Sequence, residues 1–152
     1  MPSFEKLFIE SKAQPIQYKD ETLYLADFIS VEKEFKLFFT LVSTNSEWPQ
    51  FVRVSVAKGG ILRIYDKTAK TVVLSEHELQ DGIEITGTAK DKQVMVCNGW
   101  RLFDGLGNVL NHSCMNGAAM KKEIRGDTIR YYCNDGHPDD NFDDIVFEVT
   151  VL

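Results

Sequence analysis

The chain has little of what marks several large protein classes. Its three cysteines, Cys97, Cys114 and Cys133, are an odd number with no CxxC pair. That excludes the usual zinc-ribbon and thioredoxin spacings. They read as three reduced thiols acting as small core hydrophobes, with one disulfide and a spare thiol as the alternative. Basic residues are outnumbered, 17 Lys and Arg against 23 Asp and Glu, so the general positive field of a nucleic-acid binder is missing. No uncharged apolar run approaches the roughly 20 residues that span a bilayer. The start, Met1-Pro2-Ser3-Phe4-Glu5-Lys6, has no basic segment leading into an apolar stretch, so no secretion signal is visible. These absences predict a cytoplasmic protein, or one released by a signal-independent route, with no nucleic-acid partner and no membrane insertion. Linkers rich in Pro or Ser, low-complexity tracts and fixed-period repeats are also missing, which predicts a single domain over 1–152.

What is there reads as strands. Hydrophobic residues make up 43% of the chain, enough for a packed core. Val52, Val54 and Val56 alternate with Arg53 and Ser55, and Lys58-Gly59-Gly60 then precedes Ile61-Leu62-Arg63-Ile64-Tyr65, a hairpin signature. Glu21–Phe28, Ile83–Gly87 and Thr128–Cys133 are further candidates, the last with Ile129, Tyr131 and Cys133 as its buried face. In the final run, Ile145, Phe147, Val149 and Val151 are expected to face inward against Glu148 and Thr150. Ser30–Val42 reads as a capped helical start followed by a buried strand. Ser75–Gln80 is expected to form one helical turn. Short strands at roughly 8–12-residue spacing with few helices predict an all-β fold, an antiparallel β-sandwich of jelly-roll-like kind.

The densest chemistry lies just before the last strand. Residues 134–144, Asn-Asp-Gly-His-Pro-Asp-Asp-Asn-Phe-Asp-Asp, hold five carboxylates and two carboxamides. Like charges this close disfavour full ionisation unless something neutralises them. Oxygen donors of Asp and Asn are what hard cations such as Ca²⁺ take. Asp139, Asn141, Asp143 and Asp144, with Asp135 at the end of the preceding strand, are the candidate metal ligands. The ladder, central Gly and terminal Glu of an EF-hand are missing. The alternative is a solvated acidic turn, since Asp and Asn are common turn formers.

The stretch Asp139-Asp140-Asn141-Phe142-Asp143-Asp144-Ile145-Val146-Phe147 resembles the acidic closing motif of calcium-binding β-sandwich modules. Among named families it is most similar to the small fucose- and mannose-binding calcium lectins of Pseudomonas type. Asn and Asp are exchanged at two positions of that family's core, and Leu152 stands where the family ends in Gly. The resemblance covers about a dozen residues. It implies Ca²⁺ as cofactor, Asp139, Asn141, Asp143 and Asp144 as ligands, Phe142 as the plug that fixes the loop, and sugar hydroxyls bound at the metal.

Other residues complete the expectation. His137 and Asp140 lie within the loop, and Trp100 or Trp48 would supply an apolar platform for a sugar ring; these four are the candidate ligand contacts. Asn98–Asn108 and Asn45–Pro49 read as polar–aromatic loops. His112-Ser113-Cys114, with Asp104 or Asp135 to orient the His, is a weak nucleophile–base pattern, because such partners rarely adjoin in sequence. The predicted function is calcium-dependent recognition of a glycan or other small polar ligand, without catalysis. The competing expectation is a self-associating structural or storage protein, and a homo-oligomer fits either.

Overall fold

Period-two burial shapes the carboxy-terminal run. Ile145, Phe147 and Val149 are buried while Glu148 and Thr150 are partly exposed, as alternation along a strand requires. The computed structural model describes residues 3–103, 105–113, 115, 117–137 and 139–152. In chain order its elements are α1 (Phe4–Glu10), β1 (Ile16–Tyr18), β2 (Glu21–Leu23), β3 (Asp27–Ser30), β4 (Glu34–Thr44), β5 (Gln50–Ser55), β6 (Ile61–Ile64), β7 (Lys67–Ala69) and β8 (Thr71–Ser75). There follow α2 (Glu76–Asp81), β9 (Ile83–Thr88), β10 (Gln93–Phe103), β11 (Val109–Ser113), β12 (Ala119–Arg125), β13 (Thr128–Asn134) and β14 (Ile145–Val151).

Among the described residues, the strands form two main antiparallel sheets packed as a sandwich. One runs β12-β13-β14-β4-β9-β6-β7; the other runs β11-β10-β5-β8, with β3 also paired to β10. The core between them takes Leu37 and Phe39 from β4, Val52 and Val54 from β5, Val94 and Val96 from β10, and Tyr131 and Phe147 from β13 and β14. A smaller cluster lies under α1, where Phe4 and Phe8 meet Leu23, Ala119 and Phe142. No helix among the described residues is long and apolar enough to cross a membrane.

Several expectations change. The glycine turn at 58–60 does not close a hairpin: β5 pairs with β8 and β10, whereas β6 pairs with β7 and β9. The turn carries the chain from one sheet to the other, and a Cβ on Gly60 would stand 2.7 Å from the Thr88 carbonyl oxygen. Turn residues mark a change of direction and do not name the partner strand. No helix starts at Ser30; Phe35, Leu37 and Phe39 are buried and alternate with the exposed Lys36 and Phe38 in the first half of β4, so the strand period wins. The turn at 76–81 is helical, with Ser75 and Glu78 forming a reciprocal capping box. Asn98–Phe103 belongs to β10 rather than to a loop. The expectation of three reduced thiols fails at Cys97, which is disulfide-bonded. Cys133 is a buried free thiol, pushed up by burial and then by the charge of Asp144. Cys114, Asp104 and Pro138 lie outside the described residues.

Candidate functional site

β4 and β14 are neighbours in the sheet, with Thr44 opposite Ile145. The loop leaving β4 therefore lies beside the loop entering β14, although about 90 residues separate them in sequence. The Asn45 N–H donates to the Asp144 carbonyl at 3.1 Å, and its Nδ2 donates to Asp143 Oδ2 at 2.8 Å. Between the loops is an open cleft of about 550 Å³. Thr44, Asn45, Ser46 and Glu47 line one side, and His137, Asp139, Asn141, Asp143 and Asp144 line the other.

The acidic loop is held in shape by residues behind it. Asn134, fully buried, donates from Nδ2 to the Asp139 carbonyl and accepts at Oδ1 from the Phe142 N–H, both at 2.7 Å. Phe142 sits at φ +54°, a backbone region that costs a bulky residue about 1–3 kcal/mol and persists only where packing enforces it. Its ring is 3% exposed and lies 5.7 Å from that of Phe4. Helix α1, capped by Ser3 accepting from the Lys6 N–H, thus reaches the site through Phe4. Asp139 Oδ1 accepts from the Asn141 N–H, and the Asp144 N–H closes the loop onto the Cys133 carbonyl.

Asp135 and Asp144 diverge in state. Asp135 is fully buried and does not line the cleft. Oδ2 accepts from Ser46 Oγ at 2.6 Å and Gln50 Nε2 at 3.0 Å, and Oδ1 meets the His137 N–H and Nδ1. Burial alone would raise its carboxyl, but hydrogen bonds from Ser46 and His137 outweigh that and hold it below the usual range. Asp144 is 4% exposed, and its carboxylate accepts at Oδ2 from the Asp135 N–H. Burial first, then the charges of Asp135 and Asp139, push its carboxyl up to about 7. Burial opposes protonation of His137; its contacts to Asp135 and, through Nε2, to Glu47 at 3.1 Å overcome this and raise it.

The aromatic residues stack in a ladder. The His137 ring lies 3.8 Å from Trp48, Trp48 lies 6.2 Å from Trp100, and Trp100 lies 5.8 Å from His112. Trp100 is 1% exposed, which removes it as a platform for a ligand. Trp48 is half-buried and stacks between Trp100 and His137, and the ring that ends the ladder at the cleft is His137. Asp140 turns away, bonded to Tyr18 Oη and Lys19 Nζ, both at 2.9 Å. His112 is committed to the Trp100 stack.

The structure thus gathers Asp139, Asn141, Asp143, Asp144 and His137 at one cleft, and places Asp135, Asp140 and Trp100 elsewhere. The cleft donors are the oxygen kind a hard cation takes. Among the described residues, however, no group of three or more His, Cys, Asp or Glu side chains is gathered so that it could hold a metal ion. Sequence reasoning missed Asn134 as the loop's anchor and the pairing of the 44–47 loop with the acidic one. It also missed Gln50 and expected Asn98 in a loop, whereas both are buried and their Oε1 and Oδ1 find no hydrogen-bond partner among the described residues. No protein-family model matches the chain, and neither does any curated protein or solved structure.

Proposed function

We propose that the cleft recognises a carbohydrate with the help of a calcium ion and without catalysis. The observation that supports this most is the meeting of Asp139, Asn141, Asp143 and Asp144 with Asn45, Ser46 and Glu47 around one open polar cleft. Among the described residues that line it, His137 is the one basic side chain, and the Asp144 carboxyl is pushed up to about 7. A cation relieves that crowding better than a proton, because it neutralises several carboxylates at once. Asp139, Asn141, Asp143 and Asp144 would hold the ion, which supplies open coordination positions for hydroxyl oxygens. Asp135 holds the His137 ring and Ser46 from behind. Glu47 and Ser46 offer polar atoms to sugar hydroxyls, and His137 offers the flat wall expected of a Trp.

A glycan array run with calcium and again with EDTA tests the reading. Binding that appears only with calcium and disappears in Asp143→Asn is the expected result. Equal signals in the two conditions, or none in either, would refute it.

A further inference from the structure

We propose that a water molecule is built into the core behind the cleft, bridging the side-chain oxygens of Gln50 and Asn98. The proposal stands independently of what fills the cleft. Gln50 is 3% exposed and Asn98 is fully buried, yet Gln50 Oε1 and Asn98 Oδ1 find no hydrogen-bond partner among the described residues. Buried polar atoms are nearly always paired, and where the protein supplies no partner an ordered water does.

Neither amide can be turned round to bring its nitrogen where its oxygen stands. Gln50 Nε2 donates to the Trp48 carbonyl and to Asp135 Oδ2, both at 3.0 Å, which uses both of its hydrogens. Asn98 Nδ2 donates to the Asn134 carbonyl at 2.8 Å. Reversing either amide would set oxygen against oxygen, so the network fixes both orphaned atoms as acceptors.

The two amides lie side by side. Gln50 stands opposite Trp100 and Asn98 opposite Val52, so they share one face of the β5–β10 pair, a diagonal step apart. That face is the inner one, since Val52, Val54 and Val96 on it belong to the core. Across the sandwich, Asn98 reaches Asn134 at the end of β13, and Gln50 reaches the next residue, Asp135. Consecutive residues are only about 3.8 Å apart at Cα, so the amides converge on one spot between the sheets.

The chemistry of the occupant follows. Two neutral acceptors call for two donors, which one water supplies. Hard cations take six or more oxygens, and the amide N–H groups beside these two oxygens repel positive charge. A larger molecule has no access, because both oxygens are sealed from bulk solvent. The water so placed joins the braces of the cleft. Gln50 holds Asp135, which accepts from Ser46 and His137, and Asn98 holds Asn134, which fixes Asp139 and Phe142. The two loops are thus tied through the core as well as across the cleft.

A crystal structure of the full chain at about 1.5 Å, where waters are visible although hydrogens are not, tests this. The expected result is a density peak roughly 2.5–3.2 Å from both Gln50 Oε1 and Asn98 Oδ1. No peak there in a map that shows the surface waters, a peak bonded to one oxygen alone, or a protein donor on either oxygen would each overturn the proposal. In solution, magnetic relaxation dispersion counts the waters held for longer than the protein tumbles. Asn98→Leu and Gln50→Met each remove one acceptor, and each should lower that count by one with circular dichroism unchanged. Either variant carries the measurement should the other fail to fold, and a folded variant with the wild-type count would contradict the bridge.

Discussion

At one end of the His137–Trp48–Trp100–His112 stack lies a polar loop tied down almost atom by atom; at the other lies a hairpin with large side chains in water. The loop is charged, yet its buried members are bonded: Asn134 to Asp139 and Phe142, Asp135 to Ser46, Gln50 and His137. The hairpin carries no charge on β11 and leaves Phe103, Val109 and Leu110 exposed. The difference teaches that order here does not track apolarity. In this loop the groups that would be costly to bury unpaired are held by named partners, while the apolar groups of the hairpin stay in water.

Breaking the loop should have the largest effect. Phe142→Ala removes a buried ring from the cluster under α1 and should cost about 3–4 kcal/mol, lowering Tm by roughly 10 °C in a calorimetric scan. Asn134→Ala leaves the Phe142 N–H unpaired and should cost about 2–3 kcal/mol. Its loss should also loosen the cleft, which a fall in calcium affinity would report.

The pH dependence separates the two buried carboxyls. Asp144 is raised in the folded protein, so the folded state binds more protons than the unfolded one between the ordinary carboxyl value and about 7. Stability without metal should therefore fall as pH rises through that window. Asp144→Asn keeps an acceptor for the Asp135 N–H and should flatten the slope. His137, raised by Asp135 and Glu47 against burial, stabilises below its ordinary value and loses that contribution as pH rises through its raised one, so a residual slope should remain. Urea unfolding of both proteins in EDTA from pH 5 to 8 checks this; parallel slopes would remove the strain assigned to Asp144. The smallest effect should be that of Leu110→Lys on stability, within about 0.5 kcal/mol, because Leu110 is exposed.

Much of the fold was legible because burial follows the alternation along β9, from Val52 onward in β5 and from Phe147 to Thr150 in β14. The partners of β6 were not, since Gly59 and Gly60 announce a turn and leave its destination open. Helix α1 escaped notice because seven residues are too few to show a helical period. For the site, the crowding of Asp and Asn in 134–144 pointed to a loop that lines a polar cleft, and Phe142 is buried as the plug reading expected. What the sequence could not convey was orientation. Asp135, Asp140 and Asp144 have the same side chain, and their surroundings make one an internal brace, one a surface ion pair and one a proton-binding group. The meeting with Asn45 and Ser46 depends on β4 and β14 being neighbours, which no local pattern states.

Calorimetric titration of the full chain with calcium at pH 7.5 tests the central claim most directly. The account predicts saturable binding at the cleft and, at about a hundredfold excess over the dissociation constant, stabilisation of about 2.7 kcal/mol that Asp143→Asn and Asp144→Asn abolish. A flat titration, with the same melting temperature in calcium and in EDTA, would contradict it.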